Sequence, residues 1–234
     1  MEFAVIMASG LGTRMRPLTN DTPKPLLKVN GKPMAETVID ALEARGVAEI
    51  AIVVGYLGEQ FAYLTEKYPN VRLIINRDYE TVNNISSIYY AREFMRAGDC
   101  FVCEADLFIH NEKVLCRTYE KSGYFGKQVS GHTDDWVFDE DANGRITRVG
   151  KVGDDCRAMV GVSYFKQKDA ALIADAVEEA YAGTGYEELF WDEIVDRNLD
   201  RLDLCVHPLD ADDIIEIDTP AELDAVNKKF GGTA

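Results

Sequence analysis

The sequence predicts an α/β fold, with a mostly parallel sheet flanked by helices, and three observations support this. Short apolar runs alternate with amphipathic segments of about ten to fifteen residues in the first half, which is typical of βαβ units. The 234 residues are 47% hydrophobic and 28% charged, as in an ordinary globular protein. No linker rich in Pro, Gly or Ser divides the chain, so we expect a single domain over residues 1–234.

The first half is predicted to contribute four buried strands, because short continuous apolar runs favour strands that are covered on both faces. These runs lie at residues 3–8, 49–54, 71–75 and 99–103. Helices are predicted between them at 36–44, 57–68 and 85–97, with Gly46 ending the first and Asn83 or Asn84 capping the third. Parallel strands end at a common rim of the sheet, so a ligand is expected in the loops that follow them.

The second half predicts a smaller, mixed portion of strands and helices. Strands are expected at 129–131, 136–138, 146–149, 159–165 and 204–207, with a hairpin turn at Asn143-Gly144. Helical patterns lie at 169–182 and 188–199, followed by an apolar stretch at 214–217 and a closing helix from Pro220. Residues 122–135 show no pattern that we can assign.

The chain is strongly acidic, with a formal net charge of −16. Such a charge argues against a nucleic-acid polymer as partner, because binding one needs a broad basic face. No apolar stretch reaches the roughly 18–20 residues of a membrane span, and the start lacks the basic and apolar regions of a secretion signal. We therefore expect a cytoplasmic protein without a membrane partner. The oligomeric state is left open, with a homodimer as one candidate.

The five cysteines are scattered, which suits a reducing compartment. Cys100 and Cys103 form a C-x-x-C pair, but they lie inside a predicted strand, whereas a redox pair opens a helix that lowers the thiol pKa. No second Cys/His pair has the spacing of zinc ligands. Buried structural thiols are therefore predicted at both positions.

A basic segment follows the first strand of this acidic chain. Between residues 14 and 32 a single acid, Asp21, stands against five cations: Arg14, Arg16, Lys24, Lys28 and Lys32. The turn at residues 9–13, S-G-L-G-T, can present free backbone N–H groups to phosphates or can be a plain strand-to-loop turn. The segment by itself therefore indicates an anionic ligand without identifying it. Lys28 and Lys32 are expected to be solvated surface charges.

The basic segment also carries a longer motif, G-L-G-T-R-M-R-P-L-T-x-x-x-P-K-P-L, over residues 10–26. It resembles the signature of sugar-1-phosphate and related nucleotidyltransferases, G-x-G-x-R-x-x-P-L-T…P-K-x-L. The resemblance implies a Rossmann-like nucleotidyltransferase fold in which Arg14, Lys24 and Asp106 are catalytic. It further implies a nucleotide-binding half at 1–110, and an acceptor-binding half with the closing helix at 111–234. The implied nucleotide-binding residues are Ala8, Ser9, Gly10, Leu11, Gly12, Thr13, Arg14, Lys24, Gly55, Tyr56, Asn84, Ser87 and Glu104.

Two aspartates are candidate Mg²⁺ ligands. Asp106 follows the fourth predicted strand at the ligand rim, and Mg²⁺ takes oxygens from carboxylates and substrate phosphates. The resemblance implies that Asp218, in the segment I-I-E-I-D-T-P, shares the ion. The alternative for Asp218 is a cap on the final helix, since Thr219 and Pro220 can open that helix. The family pattern also leads us to expect Asn or Asp after Asp106, where this chain has Leu107.

The acceptor site is suggested by a closer resemblance, to bacterial CTP:phosphocholine cytidylyltransferases. The similar segments are V-G-Y-L-G-E-Q-F at 54–61, N-N-I-S-S-I-Y at 83–89, D-W at 135–136, F-W-D at 190–192 and E-I-D at 216–218. Aromatic faces bind quaternary ammonium groups, and Trp136 and Trp191 each adjoin an aspartate. The implied acceptor site is Trp136, Tyr164, Trp191, Asp192 and Glu216. The alternative for both tryptophans is a core position, which is usual for large aromatic side chains.

The predicted function is Mg²⁺-dependent transfer of CMP from CTP to phosphocholine, giving CDP-choline and pyrophosphate. No catalytic base is needed, because a phosphomonoester is largely dianionic at neutral pH. The alternatives are the same reaction on 2-aminoethylphosphonate, phosphoethanolamine or a sugar 1-phosphate, and a non-catalytic nucleotide-binding regulator. A Rossmann dehydrogenase is disfavoured by the prolines that follow the glycine turn. The sequence does not determine which nucleobase, pyrimidine or purine, the nucleotide site prefers.

Overall fold

The structure is a computed structural model that describes residues 1–231, and it is organised around one nine-stranded sheet. In chain order the strands are β1 (Glu2–Ala8), β2 (Lys28–Val29), β3 (Lys32–Pro33), β4 (Glu49–Val54), β5 (Val71–Ile75), β6 (Asp99–Glu104), β7 (Leu107–Ile109), β8 (Gly123–Gln128), β9 (His132–Glu140), β10 (Ile146–Asp154), β11 (Arg157–Phe165), β12 (Cys205–Leu209) and β13 (Ile214–Glu216). The helices are α1 (Met34–Arg45), α2 (Ala62–Lys67), α3 (Ile85–Ala97), α4 (Gln167–Tyr181), α5 (Trp191–Asp196) and α6 (Pro220–Phe230). The predicted α/β class is confirmed, with parallel strands at the centre of the sheet.

The centre of the sheet is β1, which pairs in parallel with β4 on one side and β6 on the other. Since β5 continues in parallel beyond β4, the order across this half is β5, β4, β1, β6. The chain leaves β1 toward β4 and returns to β6 on the opposite side, so a crevice opens where β1 and β6 end. The glycine turn after Ala8 and the acidic pair Glu104 and Asp106 meet at this crevice.

Helix α1 forms as predicted because its apolar side chains fall on one face and its end is well capped. Val38, Ile39 and Leu42 are fully buried against the sheet. Gly46 follows in the left-handed region with φ 83°, and its N–H donates to the Leu42 and Glu43 carbonyls. Glycine adopts this conformation without a Cβ penalty, which makes it a common helix end.

The second half extends the sheet with antiparallel strands. β11 pairs with β6 on one edge of the parallel half, and the long hairpin of β9 and β10 continues outward from β11. β8 also pairs with β11 and carries β12. The hairpin thus stands beside the crevice and supplies one wall of it.

Several predicted boundaries were wrong for local backbone reasons. The expected strand at 129–131 is a turn between β8 and β9, because Gly131 is left-handed at φ 79° and its N–H donates to Asp155. The expected helix at 57–68 begins as a 3₁₀ turn, since Leu57 lies at φ 49°, and only α2 is α-helical. The expected helix at 188–199 shortens to α5. The antiparallel pairs β2–β3 and β7–β13 were not predicted.

Cys100 and Cys103 lie fully buried on β6, and burial raises the pKa of both thiols. Both are therefore protonated core side chains, as the strand pattern around them predicted. Over residues 1–231, no helix combines the length and the apolarity needed to cross a membrane.

Candidate active site

A cleft of about 560 Å³ opens beyond the ends of β1 and β6, and it gathers residues from distant parts of the chain. Ten of the residues predicted for a site line it: Ser9, Gly10, Arg14, Asn84, Ser87, Glu104, Asp106, Trp136, Glu216 and Asp218. A second cavity of about 260 Å³ adjoins it along the glycine turn and is lined by Ala8, Gly12, Thr13 and Lys24. The two cavities share Gly10, Arg14 and Asp106, so they form one continuous depression.

The glycine turn is held in a fixed shape by its own neighbours. Gly12 is left-handed at φ 60°, and a Cβ there would stand 2.9 Å from the Lys24 Cβ. The Thr19 hydroxyl donates to the Gly12 carbonyl at 2.8 Å, and the Tyr56 hydroxyl donates to the Thr19 carbonyl at 3.0 Å. Close packing of the turn against Lys24 therefore requires glycine at position 12.

Gly55 and Tyr56 support the site and do not line either cavity. A Cβ on Gly55 would stand 2.6 Å from the ring of Tyr79, which itself faces the cleft. Tyr56 braces the loop around Thr19, and its N–H donates to the Ser9 carbonyl. Leu11, also predicted for nucleotide binding, is absent from the lining of both cavities.

Lys24 is the buried centre of the charged network. Its side chain is 9% exposed, and its ammonium donates to Asp106 Oδ2 and Asp218 Oδ1, each at 2.5 Å. Burial by itself lowers the pKa of Lys24, but the two carboxylates outweigh it and the net pKa is raised. Lys24 therefore carries a permanent positive charge that joins two chain segments predicted to share a site.

Asp218 faces the site because another residue caps the closing helix. The Thr219 hydroxyl accepts from the Glu222 N–H, while Glu222 accepts from the N–H groups of Asp218 and Thr219. This capping box satisfies the start of α6 without the Asp218 side chain. The Asp218 carboxylate instead pairs with Lys24 and with Arg14 at 2.7 Å. The capping alternative raised by the sequence was therefore wrong.

The floor of the cleft is acidic. Carboxylate oxygens of Glu104, Asp106 and Glu216 lie within 4.8 Å of one another. Burial, reinforced by the charge of Asp106, raises the pKa of Glu104 well above its usual range and that of Glu216 to about 8. Asp106 Oδ1 is buried and has no hydrogen-bond partner among residues 1–231. An orphaned carboxylate oxygen beside two further carboxylates fits a hard divalent cation, which takes oxygen ligands.

A buried polar chain positions the start of α3 against the glycine turn. The Ser9 and Ser87 hydroxyls lie 2.9 Å apart, and the Asn76 amide donates to Ser9 at 3.2 Å and to Ser86 at 2.8 Å. Asn84 accepts from the Trp191 N–H, which ties α3 to α5. Sequence reasoning missed Asn76, although a polar residue directly after a predicted strand was an available signal.

One wall of the cleft is aromatic and charged. Trp136 and Phe190 meet edge to face with ring centroids 5.4 Å apart, and the Lys151 ammonium lies over both rings. Lys127, Asp134 and Asp135 line the same wall. Sequence reasoning included Phe190 in a similar segment without assigning it a role, and it did not identify Lys151, Lys127 or Asp134. Lys127, Asp134 and Lys151 lie on three different strands and Phe190 precedes α5, and no spacing along the chain indicates that they meet.

Tyr164 and Trp191 do not lie where the acceptor prediction put them. The Tyr164 hydroxyl hydrogen-bonds Glu2 and Asp99, at the amino ends of β1 and β6, far from the crevice at their carboxyl ends. Trp191 is 3% exposed and packs against Tyr124 in the core. The predicted aromatic cage therefore loses both residues, because strand direction and helix packing turn them away from the cleft.

Asp192 lies behind the acidic floor, buried and hydrogen-bonded by the Tyr124 hydroxyl at 3.1 Å. With Glu104 and Trp191 it lines a small cavity adjoining the cleft. Burial raises the pKa of Asp192 to about 7, and the hydrogen bond from Tyr124 opposes this only in part. Asp192 is therefore largely protonated at mildly acidic pH in the folded protein.

This raised pKa predicts a specific dependence of stability on pH. An unfolded chain releases the Asp192 proton near pH 3.8, whereas the folded protein holds it up to about pH 7, so unfolding becomes easier as pH rises between these values. Asp192→Asn stays neutral. As pH rises through this window, the free energy of unfolding of the variant minus that of wild type should therefore increase by about 1.4 kcal/mol for each pH unit.

Urea denaturation across this pH window measures that difference, in which contributions common to both proteins cancel. The matched control is Asp200→Asn, at an exposed position, which should track wild type throughout. A constant free-energy difference between Asp192→Asn and wild type would contradict the raised pKa.

The geometry described above has counterparts among known proteins. A model of the MobA-like NTP transferase domain matches residues 4–139, which is more than half of the chain. The chain therefore belongs to this family of nucleotidyltransferases, and the predicted resemblance is confirmed.

Two curated relatives match most of the chain. A 2-aminoethylphosphonate cytidylyltransferase from Lancefieldella rimae is 54% identical, covering 97% of this chain and 92% of the relative. A choline-phosphate cytidylyltransferase from Streptococcus pneumoniae is 37% identical, covering 92% of this chain and 93% of the relative.

Solved structures confirm the nucleotidyltransferase fold. CTP:phosphocholine cytidylyltransferase from Streptococcus pneumoniae superposes with a TM-score of 0.89 at 34% identity, covering 97% of this chain and 98% of that chain. A putative glucose-1-phosphate thymidylyltransferase from Bacillus anthracis superposes with a TM-score of 0.80 at 16% identity, covering 100% of this chain and 97% of that chain, which shows likeness of fold alone.

Proposed function

We propose that this protein is a Mg²⁺-dependent cytidylyltransferase that transfers CMP from CTP to 2-aminoethylphosphonate and releases pyrophosphate. The observation that carries the proposal is the 54% identity to the Lancefieldella rimae enzyme, which extends over nearly the whole of both chains. Because the match spans both the glycine turn and the cleft wall, it includes the segments that contact nucleotide and acceptor in this proposal. Phosphocholine, the first acceptor predicted from the sequence, becomes the second candidate.

The proposed reaction is an in-line displacement at the α-phosphorus of CTP. A phosphonate oxygen of the acceptor forms a bond to that phosphorus, and the bond from the phosphorus to the oxygen bridging the α- and β-phosphates breaks. Pyrophosphate leaves with the electron pair, and negative charge builds on the α-phosphate oxygens. The phosphonate is already anionic, so the reaction needs no catalytic base.

Cations at the glycine turn are the proposed stabilisers of that charge. The buried ammonium of Lys24 is aimed into the cavity beside Gly12 and Thr13, where a triphosphate can also meet backbone N–H groups. Arg14 pairs with Asp218, but its side chain is 68% exposed, so it has room to turn toward the phosphates at the mouth. Charges that are held in position before the reaction stabilise the transition state without a cost of reorganisation.

Asp106 and Asp218 are the proposed holders of Mg²⁺, with Glu104 and Glu216 beside them. The unpartnered Oδ1 of Asp106 and the acidic floor around it fit such an ion. When bound, Mg²⁺ neutralises charge on the phosphate oxygens. The Lys24 ammonium then helps to balance the aspartates, so that the triphosphate does not meet an uncompensated negative site.

The acceptor is zwitterionic, and the outer wall of the cleft offers both signs of charge. Lys127 can face the phosphonate side, while the carboxylates of Asp134, Asp135 and Glu216 can accept from a primary ammonium. Asn84 and Ser87, which line the same cleft, remain the proposed contacts to the nucleotide base. Their amide and hydroxyl groups can pair with the polar edge of a pyrimidine.

Pyrophosphate release with CTP and Mg²⁺ tests the proposal directly. We expect turnover with 2-aminoethylphosphonate at a kcat/KM at least about tenfold above that with phosphocholine, since a tenfold preference needs only about 1.4 kcal/mol. The acceptor panel also contains phosphoethanolamine and glucose 1-phosphate, and ATP, GTP and UTP replace CTP as nucleotide controls.

Phosphocholine is the second candidate because the Streptococcus pneumoniae enzyme superposes with a TM-score of 0.89. Faster turnover of phosphocholine would favour it over the aminophosphonate. Binding of CTP without pyrophosphate release across the whole panel would contradict both and would favour a nucleotide-binding regulator.

A further inference from the structure

We infer that Lys151 determines acceptor specificity, by occupying the aromatic corner that a trimethylammonium group would otherwise use. The inference rests on the proposed function and deepens it, because it identifies how this cleft favours primary amines. It concerns the wall formed by Trp136, Phe190 and Lys151, which the sequence motifs leave without explanation.

The geometry of that wall is that of an occupied cation site. The Lys151 ammonium lies 4.4 Å from the ring centroid of Phe190 and 5.4 Å from that of Trp136. The two rings stand at 66° to each other, so they form a corner open toward the cleft. Cations within about 6 Å of a ring centroid are attracted to its face. The corner is therefore filled by a cation of the protein itself.

Lys151 is directed to this corner by the hairpin that carries it. It is paired with Trp136 across β9 and β10, so both side chains lie at the same level of the sheet. Immediately beyond it, Val152 is left-handed at φ 69°, and Arg148 donates to the carbonyls of Lys151 and Val152. Among residues 1–231, Lys151 forms no ion pair with a carboxylate, so its charge interacts mainly with the two rings.

The two candidate acceptors would experience this wall differently. A trimethylammonium group has no N–H to donate and depends on aromatic faces. Lys151 covers these faces, and its positive charge repels a second cation there. A primary ammonium has three donors and can use the carboxylates of Asp134, Asp135 or Glu216 on the cleft surface. Lys151 thus weakens binding of trimethylammonium acceptors and leaves the carboxylates available to primary amines, so that specificity arises from exclusion.

The test compares acceptor preference in wild type, Lys151→Ala and Lys151→Met. The measured quantity is the ratio of kcat/KM for phosphocholine to kcat/KM for 2-aminoethylphosphonate, with CTP saturating. We expect Lys151→Ala to raise this ratio about tenfold, in line with the usual strength of a cation on aromatic faces. Lys151→Met keeps much of the volume without the charge, and we expect a smaller rise. Lys168→Ala, at an exposed position on α4, is the control and should leave the ratio unchanged.

The possible outcomes separate the inference from the proposed function. An unchanged ratio in both variants, or equal losses with both acceptors, would overturn the specificity role of Lys151 while leaving the cytidylyltransferase intact. A wild-type preference for phosphocholine would also overturn it. If wild type turned over neither acceptor, the proposed function would fail. Calorimetric titration of phosphocholine would then decide on Lys151, with tighter binding to Lys151→Ala as the supporting result and equal binding as the contrary one.

Discussion

Replacing Lys24 with alanine is expected to lower kcat/KM for CTP by roughly a hundred- to a thousandfold, the usual loss when one fixed stabiliser of transition-state charge is removed. The side chain is 9% exposed and its ammonium contacts both Asp106 and Asp218. Its removal takes away the one buried cation of the triphosphate cavity and leaves two carboxylates facing an anionic ligand. Pyrophosphate release under saturating Mg²⁺ measures the loss.

Lys28→Ala is the matched control for this experiment. Lys28 lies on the same basic segment, at an exposed position on β2, and its replacement should leave turnover within about twofold of wild type because surface charges contribute little. Thermal unfolding of both variants separates a catalytic loss from a loss of fold. A Lys24→Ala enzyme that is folded and retains turnover within a few-fold of wild type would disprove the phosphate role.

Asp106→Asn is expected to lower kcat by roughly a thousandfold and to raise the Mg²⁺ concentration needed for half-maximal rate. An amide keeps the shape of the side chain but loses the charge, and metal stabilisation of developing charge is worth several kcal/mol, with each 1.4 kcal/mol giving about a factor of ten. The unpartnered Oδ1 of Asp106 makes it the strongest metal-ligand candidate on the acidic floor. Rates over a Mg²⁺ titration measure both effects.

Asp212→Asn provides the comparison for that titration. Asp212 pairs with Lys229 near the surface, away from the cleft, and its side chain is 52% exposed. We expect its Mg²⁺ dependence to match wild type. If Asp106→Asn kept the wild-type Mg²⁺ requirement and lost only a little rate, the metal would have to be assigned elsewhere. Asp218→Asn then distinguishes the two proposed holders of the ion.

The proposed phosphate-binding side of the site could be predicted from the sequence, because local backbone geometry restricts which residues can stand there. Gly12 must be glycine where the turn closes on Lys24, and the prolines on both sides of Lys24 restrict its backbone. These needs leave a linear signature within one segment. The same segment also contained Lys32, predicted to be solvated, which forms an ion pair with Asp40 on α1.

The acceptor side could not be read in this way, because it is assembled from separate strands. Trp136 and Lys151 meet through the register of β9 and β10, and Phe190 joins them from the residue before α5. Tyr164 looked suitable as an aromatic residue, yet its position along β11 sends it to the opposite end of the sheet. The roles assigned to all these residues remain predictions that the acceptor experiments test.

The sequence by itself determined the α/β class, the strands of the parallel half and the nucleotidyltransferase motif, since each depends on short-range patterns of apolar residues, glycine and proline. Only the tertiary structure decided that Asp218 faces Lys24 and does not cap α6, because that choice depended on Glu222 completing the cap. It also decided that Trp191 belongs to the core and that Lys151 fills the aromatic corner. These outcomes follow from packing and strand register between segments far apart in the chain, which no local pattern encodes.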